Sequence, residues 1–262
     1  MSDMEPRVAV LVQARMTSTR LPGKVLAPLA GLPAIVRMME RVGRVRLAAR
    51  RLVATSTDAT DDAVADACAA RGIECARGPL ADVLERFVQT APSDCEAVVR
   101  LTGDCPLVDP EVVDRHIGVF LDGWPASEYV SNAVVRTMPG GLDVEVFSRE
   151  VLLRAAREAT EPYDREHVTP WIQRNARMVP VTQEIDLSSL RWDLDTADDL
   201  RFLSWVYAEL HPAVPAFASL DVYRLLSRHP ERIRFDPSGV PEEVERARLR
   251  ERIEAYLASH AC

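Results

Sequence analysis

Val8-Ala9-Val10-Leu11-Val12-Gln13-Ala14-Arg15-Met16-Thr17-Ser18-Thr19-Arg20-Leu21-Pro22-Gly23-Lys24 is the stretch from which the rest of the chain is read. Val8 to Ala14 is apolar at all positions but Gln13. A short apolar run bounded by turn residues is the pattern of a strand buried on both faces, as in a parallel sheet. Three cations, Arg15, Arg20 and Lys24, then follow among three hydroxyl side chains, Thr17, Ser18 and Thr19. Arginine offers a planar fork to phosphate oxygens, and lysine offers a compact point charge. Pro22 and Gly23 mark a turn able to aim Lys24 back at the loop. Backbone amides in such a loop can form a further anion-binding concavity. The loop reads either as a phosphate cradle or as a solvated basic loop, and charge alone does not separate the two. It is neither a G-x-x-x-x-G-K-[ST] loop nor a G-x-G-x-x-G fingerprint.

Outward from this loop, strands are expected over 51–57, 73–77 and 97–103, with helices over 33–45, 60–71, 81–90 and 109–120. Gly72 ends the second helix, and Asp109 with Pro110 caps the last. Strands alternating with helices of this length imply an α/β fold, a mostly parallel sheet with helices on both faces. Residues 125–185 differ and are expected to form a small β-containing arm or lid. Within them, strands at 128–132 and 141–147 flank a Gly140-Gly141 turn, helices cover 149–158 and 163–175, and a further strand covers 178–185. Residues 190–195 return to the sheet, and Thr196 opens a helix to 210. A domain is expected over 1–211, followed by a helical extension over 212–262. The last helix, 242–260, carries Leu249, Ile253, Tyr256 and Leu257 on one face.

In parallel α/β sheets, ligands bind at the carboxyl ends of the strands. Asp104 ends the fourth of these strands, and Asp195 ends the expected late one. Two carboxylates from separate strands, together with phosphate oxygens, suit Mg²⁺. The plainer readings are a turn residue for Asp104 and a helix cap for Asp195, as Asp109 is read. Asp143 and Glu145 alternate with Val144 and Val146, so both carboxylates point to one face. They serve acceptor hydroxyls or a metal, or form an exposed strand face. Arg165 and His167 begin a helix, and such a pair suits an anionic acceptor, with Arg136 a further candidate. A histidine close to Trp171 is equally compatible with a structural role.

The 262 residues carry a net charge of −8, with 47% apolar and 27% charged residues. That is an ordinary globular composition, and it argues against a broad basic surface for nucleic acid. Cys68, Cys75, Cys95, Cys105 and Cys262 include no C-x-x-C pair and no Cys/His pair at zinc-ligand spacing, so reduced thiols are expected. The first apolar run, 8–12, is too short for a signal peptide or a membrane span. A cytoplasmic protein without membrane or nucleic-acid partners is expected.

The run A-R-x-x-S-x-R-L-P-G-K at 14–24 resembles the signature of the cytidylyltransferases that make CMP-activated sugar acids. RLTGDCPLVDP (100–110), GLDVEVFS (141–148), REHVTPWI (165–172) and WDLDTADDL (192–200) extend the resemblance in order to about residue 210. It is nearest the branch named for spore coat polysaccharide biosynthesis protein F. Ala14-Arg15 stands where sugar-1-phosphate pyrophosphorylases have glycines. The resemblance implies a Rossmann-like, GT-A-like nucleotide-diphospho-sugar transferase fold, CTP as donor, Mg²⁺ as cofactor and a homodimer. It implies that Gln13, Ala14, Arg15, Arg20 and Lys24 hold the nucleotide's phosphates, with Lys24 or Arg15 offsetting charge at the α-phosphate. It also implies metal aspartates at Asp104 and Asp195. Thr55, Ser56 and Arg77, with Ala54, Gly78 and 82–84, would lie beside the base, and Arg100 and Thr102 would line the same pocket. The expected reaction transfers CMP to a sugar, sugar acid or other small anionic acceptor and releases pyrophosphate. Two other readings stay open. Asp193-Leu194-Asp195 is a D-x-D, as in glycosyltransferases of similar fold, and the chain could also bind a sugar nucleotide without catalysis.

Overall fold

The structure is a computed structural model and describes residues 6–237 and 239–260; residues 1–5 and Cys262 lie outside the described residues. In chain order the elements are β1 (Val8–Gln13), β2 (Pro28–Leu29), β3 (Leu32–Pro33), α1 (Ala34–Val42), β4 (Arg50–Ser56), α2 (Asp62–Ala69), β5 (Cys75–Gly78), α3 (Val83–Thr90), β6 (Ala97–Thr102) and α4 (Pro110–Asp122). There follow β7 (Tyr129–Ser131), β8 (Glu145–Ser148), α5 (Arg149–Glu158), α6 (Pro162–His167), α7 (Pro170–Asn175), β9 (Met178–Pro180), α8 (Ala197–Leu210), α9 (Ser219–Arg228) and α10 (Glu242–Ser259).

β1 sits inside a sheet of order β5-β4-β1-β6-β8-β7-β9. It pairs in parallel with β4 and β6, and all strands but β8 run one way. The apolar run is explained by what lies on each side of it. Val8, Val10 and Val12 face Ile35, Val36, Ile117 and Phe120 of α1 and α4. Ala9 and Leu11 face Leu84, Phe87 and Leu152 of α3 and α5. Successive side chains of a strand point to opposite faces, so a strand covered on both must be apolar at every position. Asp109 caps α4 as expected, accepting from Glu111 N at 2.9 Å.

The arm departs from expectation in four places. The strand expected over 141–147 forms only as β8, and residues 132–144 leave the sheet before it. Gly140-Gly141 is therefore no hairpin turn. Gly140 bridges to Arg191, and Gly141, at φ +93°, passes so close to Trp192 that a Cβ would lie 2.7 Å from its carbonyl carbon. The helix expected over 163–175 is two, α6 and α7, broken where Val168 adopts φ +69° and Pro170 starts the second. A proline cannot continue a helix across its own nitrogen. Of 178–185, only β9 forms, at the sheet edge.

Residues 190–195 do not return to the sheet. They make isolated bridges, Arg191 to Gly140 and Leu190 to Phe235, and Leu194 N donates to Asp104 O at 2.7 Å. The C-terminal helices pack here. Phe217, Tyr223, Leu249 and Ile253 join Trp192, Leu203 and Leu107 in one apolar cluster. Among the described residues no helix is long and apolar enough to cross a membrane.

Candidate active site

β1 and β6 end side by side, with Gln13 opposite Thr102. Gly103 N donates to Gln13 O at 2.8 Å, and a Cβ on Gly103 would lie 2.8 Å from that oxygen, so only glycine permits this approach. The loops leaving these strands enclose a cleft of about 330 Å³, into which Gln13, Ala14, Arg15, Arg20, Lys24, Thr102, Asp104, His167 and Asp195 all project or border. A larger groove, about 890 Å³, opens between α8 and residues 231–246 and contains none of the basic loop.

The basic loop is tied down from beneath. Met16 N donates to Asp61 Oδ1 at 2.6 Å, and Met16 O accepts from Ser18 N and Gly23 N at 3.0 Å each. Asp61 is fully buried and also accepts from the backbone and hydroxyl of Ser56. Gly23 takes φ +71°, the left-handed conformation that favours glycine, and turns the chain so that Lys24 enters the cleft.

There Lys24 Nζ lies 2.5 Å from Asp104 Oδ2 and 2.6 Å from Asp195 Oδ1. Burial favours loss of the lysine's proton, but attraction and hydrogen bonds to Asp104 and then Asp195 outweigh it and raise its pKa. Burial likewise pushes Asp195 up, and donation from Lys24 holds it below the usual carboxylate range. Arg20, largely exposed, reaches Asp195 Oδ2 at 2.6 Å. The neighbouring Asp193 is pushed up to about 7 by burial, against the pull of Arg191. Arg191 contacts Asp193 and Asp195 at 3.4 Å each and Asp199 at 3.1 Å. Asp199 sits at about 2: burial opposes its ionisation, but Arg191, Thr196 and Arg234 all donate to it. The cap of α8 is therefore Thr196 with Asp199, and Asp195 is left free of that duty.

Among the described residues no group of three or more His, Cys, Asp or Glu side chains is arranged to hold a metal ion. Asp104 and Asp195 nevertheless present two hard oxygen donors around one cation position, which the Lys24 ammonium fills. Two carboxylates suit a Mg²⁺ ion that takes the rest of its shell from phosphate and water.

Most other expected residues lie outside the cleft. Glu145 is buried and ion-paired to Arg100, and Tyr129 donates to it at 2.5 Å. Arg100 also donates to Gln13 Oε1 at 3.0 Å, so this polar chain links Glu145 of β8 through β6 to the end of β1. Asp143 pairs with Arg136 at 2.8 Å; burial raises its pKa and Arg136 opposes the rise. Arg165 is committed to Asp82 at 2.7 Å and to the carbonyls of Ala156 and Ala159. Arg77 binds the Ser56 carbonyl and the Asp62 carboxylate at 2.7 Å each. Thr55 is fully buried with its hydroxyl unpartnered, and Thr102 Oγ1 lies 3.2 Å from Cys105 Sγ. His167 does border the cleft, beside the Arg15–Glu166 ion pair of 3.3 Å.

Three residues that sequence reasoning passed over stand close to this geometry. Asp61 falls within the expected helix 60–71 and Arg191 within the expected strand 190–195. Arg86, 1% exposed, donates to Pro79 O and Leu80 O at 2.9 and 2.8 Å, and borders a small recess beside Gln13, Ala14 and Arg15. A buried arginine that pairs with carbonyls has no local sequence signature; the clue for Asp61 was a third acidic residue near Asp58 and Asp62, one more than a helix start needs.

A model of the cytidylyltransferase family matches residues 9–197. Spore coat polysaccharide biosynthesis protein SpsF of Bacillus subtilis is 31% identical over 235 residues, 86% of this chain and 95% of that protein. A 3-deoxy-manno-octulosonate cytidylyltransferase of Verminephrobacter eiseniae is 43% identical over 120 residues, 43% of this chain and 42% of its own. The solved structure of a cytidylyltransferase from Leptospira borgpetersenii superposes with a TM-score of 0.83 at 29% identity, over 88% of this chain and 98% of that one.

Proposed function

This chain belongs to the cytidylyltransferase family, and from that premise we propose that it transfers CMP from CTP, with Mg²⁺, to a small anionic acceptor of the sugar-acid class and releases pyrophosphate. The observation that most supports this reading is the meeting of Lys24 with Asp104 and Asp195 in the cleft at the ends of β1 and β6.

In this reading Arg15, Arg20 and Lys24 bind and orient the triphosphate, and Asp61 holds their loop through the Met16 amide. Gln13, Ala14, Thr55, Ser56, Arg77, Arg100 and Thr102 shape the nucleotide pocket, most of them by supporting its backbone rather than by facing the ligand. Asp104 and Asp195 would hold the magnesium ion, which when bound neutralises charge on the phosphate oxygens. The acceptor oxygen attacks the α-phosphorus in line; the new P–O bond forms as the bond to pyrophosphate breaks. Lys24 and Arg15 offset the charge that builds on the oxygens, and an acceptor already ionised needs no general base. His167 and Arg15, side by side at the mouth, present donors to the acceptor's anionic group, while Asp143, Glu145 and Arg165 act from behind as supports. An octulosonate acceptor in the name of one relative supports the sugar-acid class. We further assign the catalytic machinery to residues 1–211, and propose a homodimer in the cytoplasm.

Calorimetric titration with CTP, UTP, GTP and ATP, each with and without Mg²⁺, tests the donor half. Selective, Mg²⁺-dependent CTP binding, followed by pyrophosphate release with a sugar acid, is expected. Binding of a nucleotide-sugar in place of any triphosphate would overturn the reading in favour of a glycosyltransferase.

A further inference from the structure

The family match ends at residue 197, yet a short segment far beyond it reaches the charged residues that contact Asp195. Arg234, Phe235 and Asp236 run antiparallel to Ser189, Leu190 and Arg191. Arg191 N donates to Arg234 O at 3.0 Å, Asp236 N donates to Ser189 O at 3.1 Å, and Leu190 faces Phe235. Both charged side chains of the segment then enter the network around Asp195. Arg234 donates to Asp199 Oδ1 at 3.0 Å, and Asp236 accepts from Arg191 Nη1 at 3.0 Å. Arg191 and Asp199 both touch Asp195, from the side away from Lys24. Arg191 Nη2 lies 3.4 Å from Asp195 Oδ2, and Asp199 Oδ2 accepts the backbone N–H of Asp195 at 3.2 Å and of Thr196 at 2.8 Å.

We infer that the segment Arg234–Asp236 is a clasp that positions Asp195 for cation binding, acting through Arg191 and Asp199. The inference rests on the cation-holding role proposed for Asp195. Its physical basis is division of labour between the two oxygens of that carboxylate. Oδ2 is covered by Arg191 and Arg20, while Oδ1 faces the cation position that Lys24 fills. Without the clasp, Asp199 loses one of its two arginines and Arg191 loses an acceptor. The 193–196 backbone then wanders, and Oδ1 is no longer held towards the cation. Partners that orient a ligating group are worth about tenfold or more in metal affinity. The packing of the tail is a separate matter, carried by Phe217, Tyr223, Leu249 and Ile253 in the apolar cluster. Arg234 and Asp236 are partly or largely exposed and contribute charge contacts at its edge.

The test uses the full chain and four variants, Arg234→Ala, Arg234→Lys, Asp236→Asn and Asp195→Asn, each checked by circular dichroism. Mn²⁺ is titrated in the presence of CTP and followed by electron paramagnetic resonance; CTP binding without metal is measured by calorimetry. The expected result for Arg234→Ala and Asp236→Asn is a Mn²⁺ midpoint raised about tenfold, with metal-free CTP binding unchanged, and substantial recovery in Arg234→Lys. If Arg234→Ala does not fold, Asp236→Asn carries the test, because that side chain is 64% exposed. An unmoved Mn²⁺ midpoint in the clasp variants, beside its loss in Asp195→Asn, overturns the clasp and leaves the site reading intact. An equal loss of metal-free CTP binding overturns it in favour of a merely structural role. An unmoved midpoint in Asp195→Asn overturns the role of Asp195 itself, and the clasp with it.

Discussion

Asp104 and Asp195 share one counter-ion: the ammonium of Lys24 lies 2.5 Å from an oxygen of the first and 2.6 Å from an oxygen of the second. The two carboxylates come from loops joined by a single backbone hydrogen bond, Leu194 N to Asp104 O. Two acidic groups this close repel strongly at low dielectric unless a cation stands between them. In the protein alone the lysine serves that need.

Lys24→Ala is therefore expected to act in two ways. Pyrophosphate release should fall about 10²- to 10³-fold, as when one charge-stabilising donor is removed from a transition state. With no ammonium between them, the two carboxylates should also make the variant more responsive to divalent cations. Its thermal midpoint should rise with added Mg²⁺ by more than that of the wild type, through linkage to binding. Differential scanning fluorimetry across a Mg²⁺ series checks this, and equal responses would count against a shared cation position.

Asp61→Ala removes the acceptor of the Met16 and Ser56 amides. Leaving buried donors unsatisfied costs about 1–3 kcal/mol. Urea unfolding should show that loss, and CTP affinity should fall with it because the loop is no longer held. Asp61→Asn keeps one acceptor oxygen and should lose less of both.

Arg100→Ala separates a buried support from a ligand-facing role for Glu145. Arg100 and Glu145 are an almost wholly buried ion pair, so removing one partner is expected to cost about 3 kcal/mol. Adding Glu145→Gln should recover part of that loss, measured as a double-mutant cycle in chemical unfolding. A Glu145 that mainly met the acceptor would instead show an unchanged stability and a raised KM.

His116 predicts a pH dependence of stability. It is fully buried on α4, and burial lowers its pKa from 6.5 to about 4, against a hydrogen bond with the Val112 carbonyl. Because the folded state holds this proton less tightly than the unfolded chain, its stabilising contribution is complete above pH 6.5 and is lost as pH falls towards 4. The loss amounts to about 3 kcal/mol at 1.36 kcal/mol per unit. Unfolding midpoints from pH 7.5 to about 4.5 should decline in the wild type, and His116→Phe should flatten part of that decline.

Most of the architecture was legible locally. β1 announces itself because a strand covered on both faces must be apolar throughout, and Asp109-Pro110 announces α4 because capping is a matter of adjacent residues. The arm was harder. Gly140-Gly141 looks like a turn because glycine relieves backbone strain wherever it arises, and here the cause is close approach to Trp192. The alternation of Asp143 and Glu145 likewise says nothing of what waits on the shared face, which for Glu145 is Arg100 and Tyr129.

The sequence by itself determined the strands and helices from β4 to α4, the order in which they alternate, and the basic loop placed directly after the buried strand β1, because each depends on residues within a turn or two of one another. Only the tertiary structure decided which distant charges meet: Lys24 between Asp104 and Asp195, Arg165 on Asp82, and Arg234 with Asp236 around Arg191 and Asp199. The physical reason is that a buried charge must find an opposite charge or a donor wherever the chain crossings bring one, and that choice is made by packing across the whole fold rather than by neighbours in sequence.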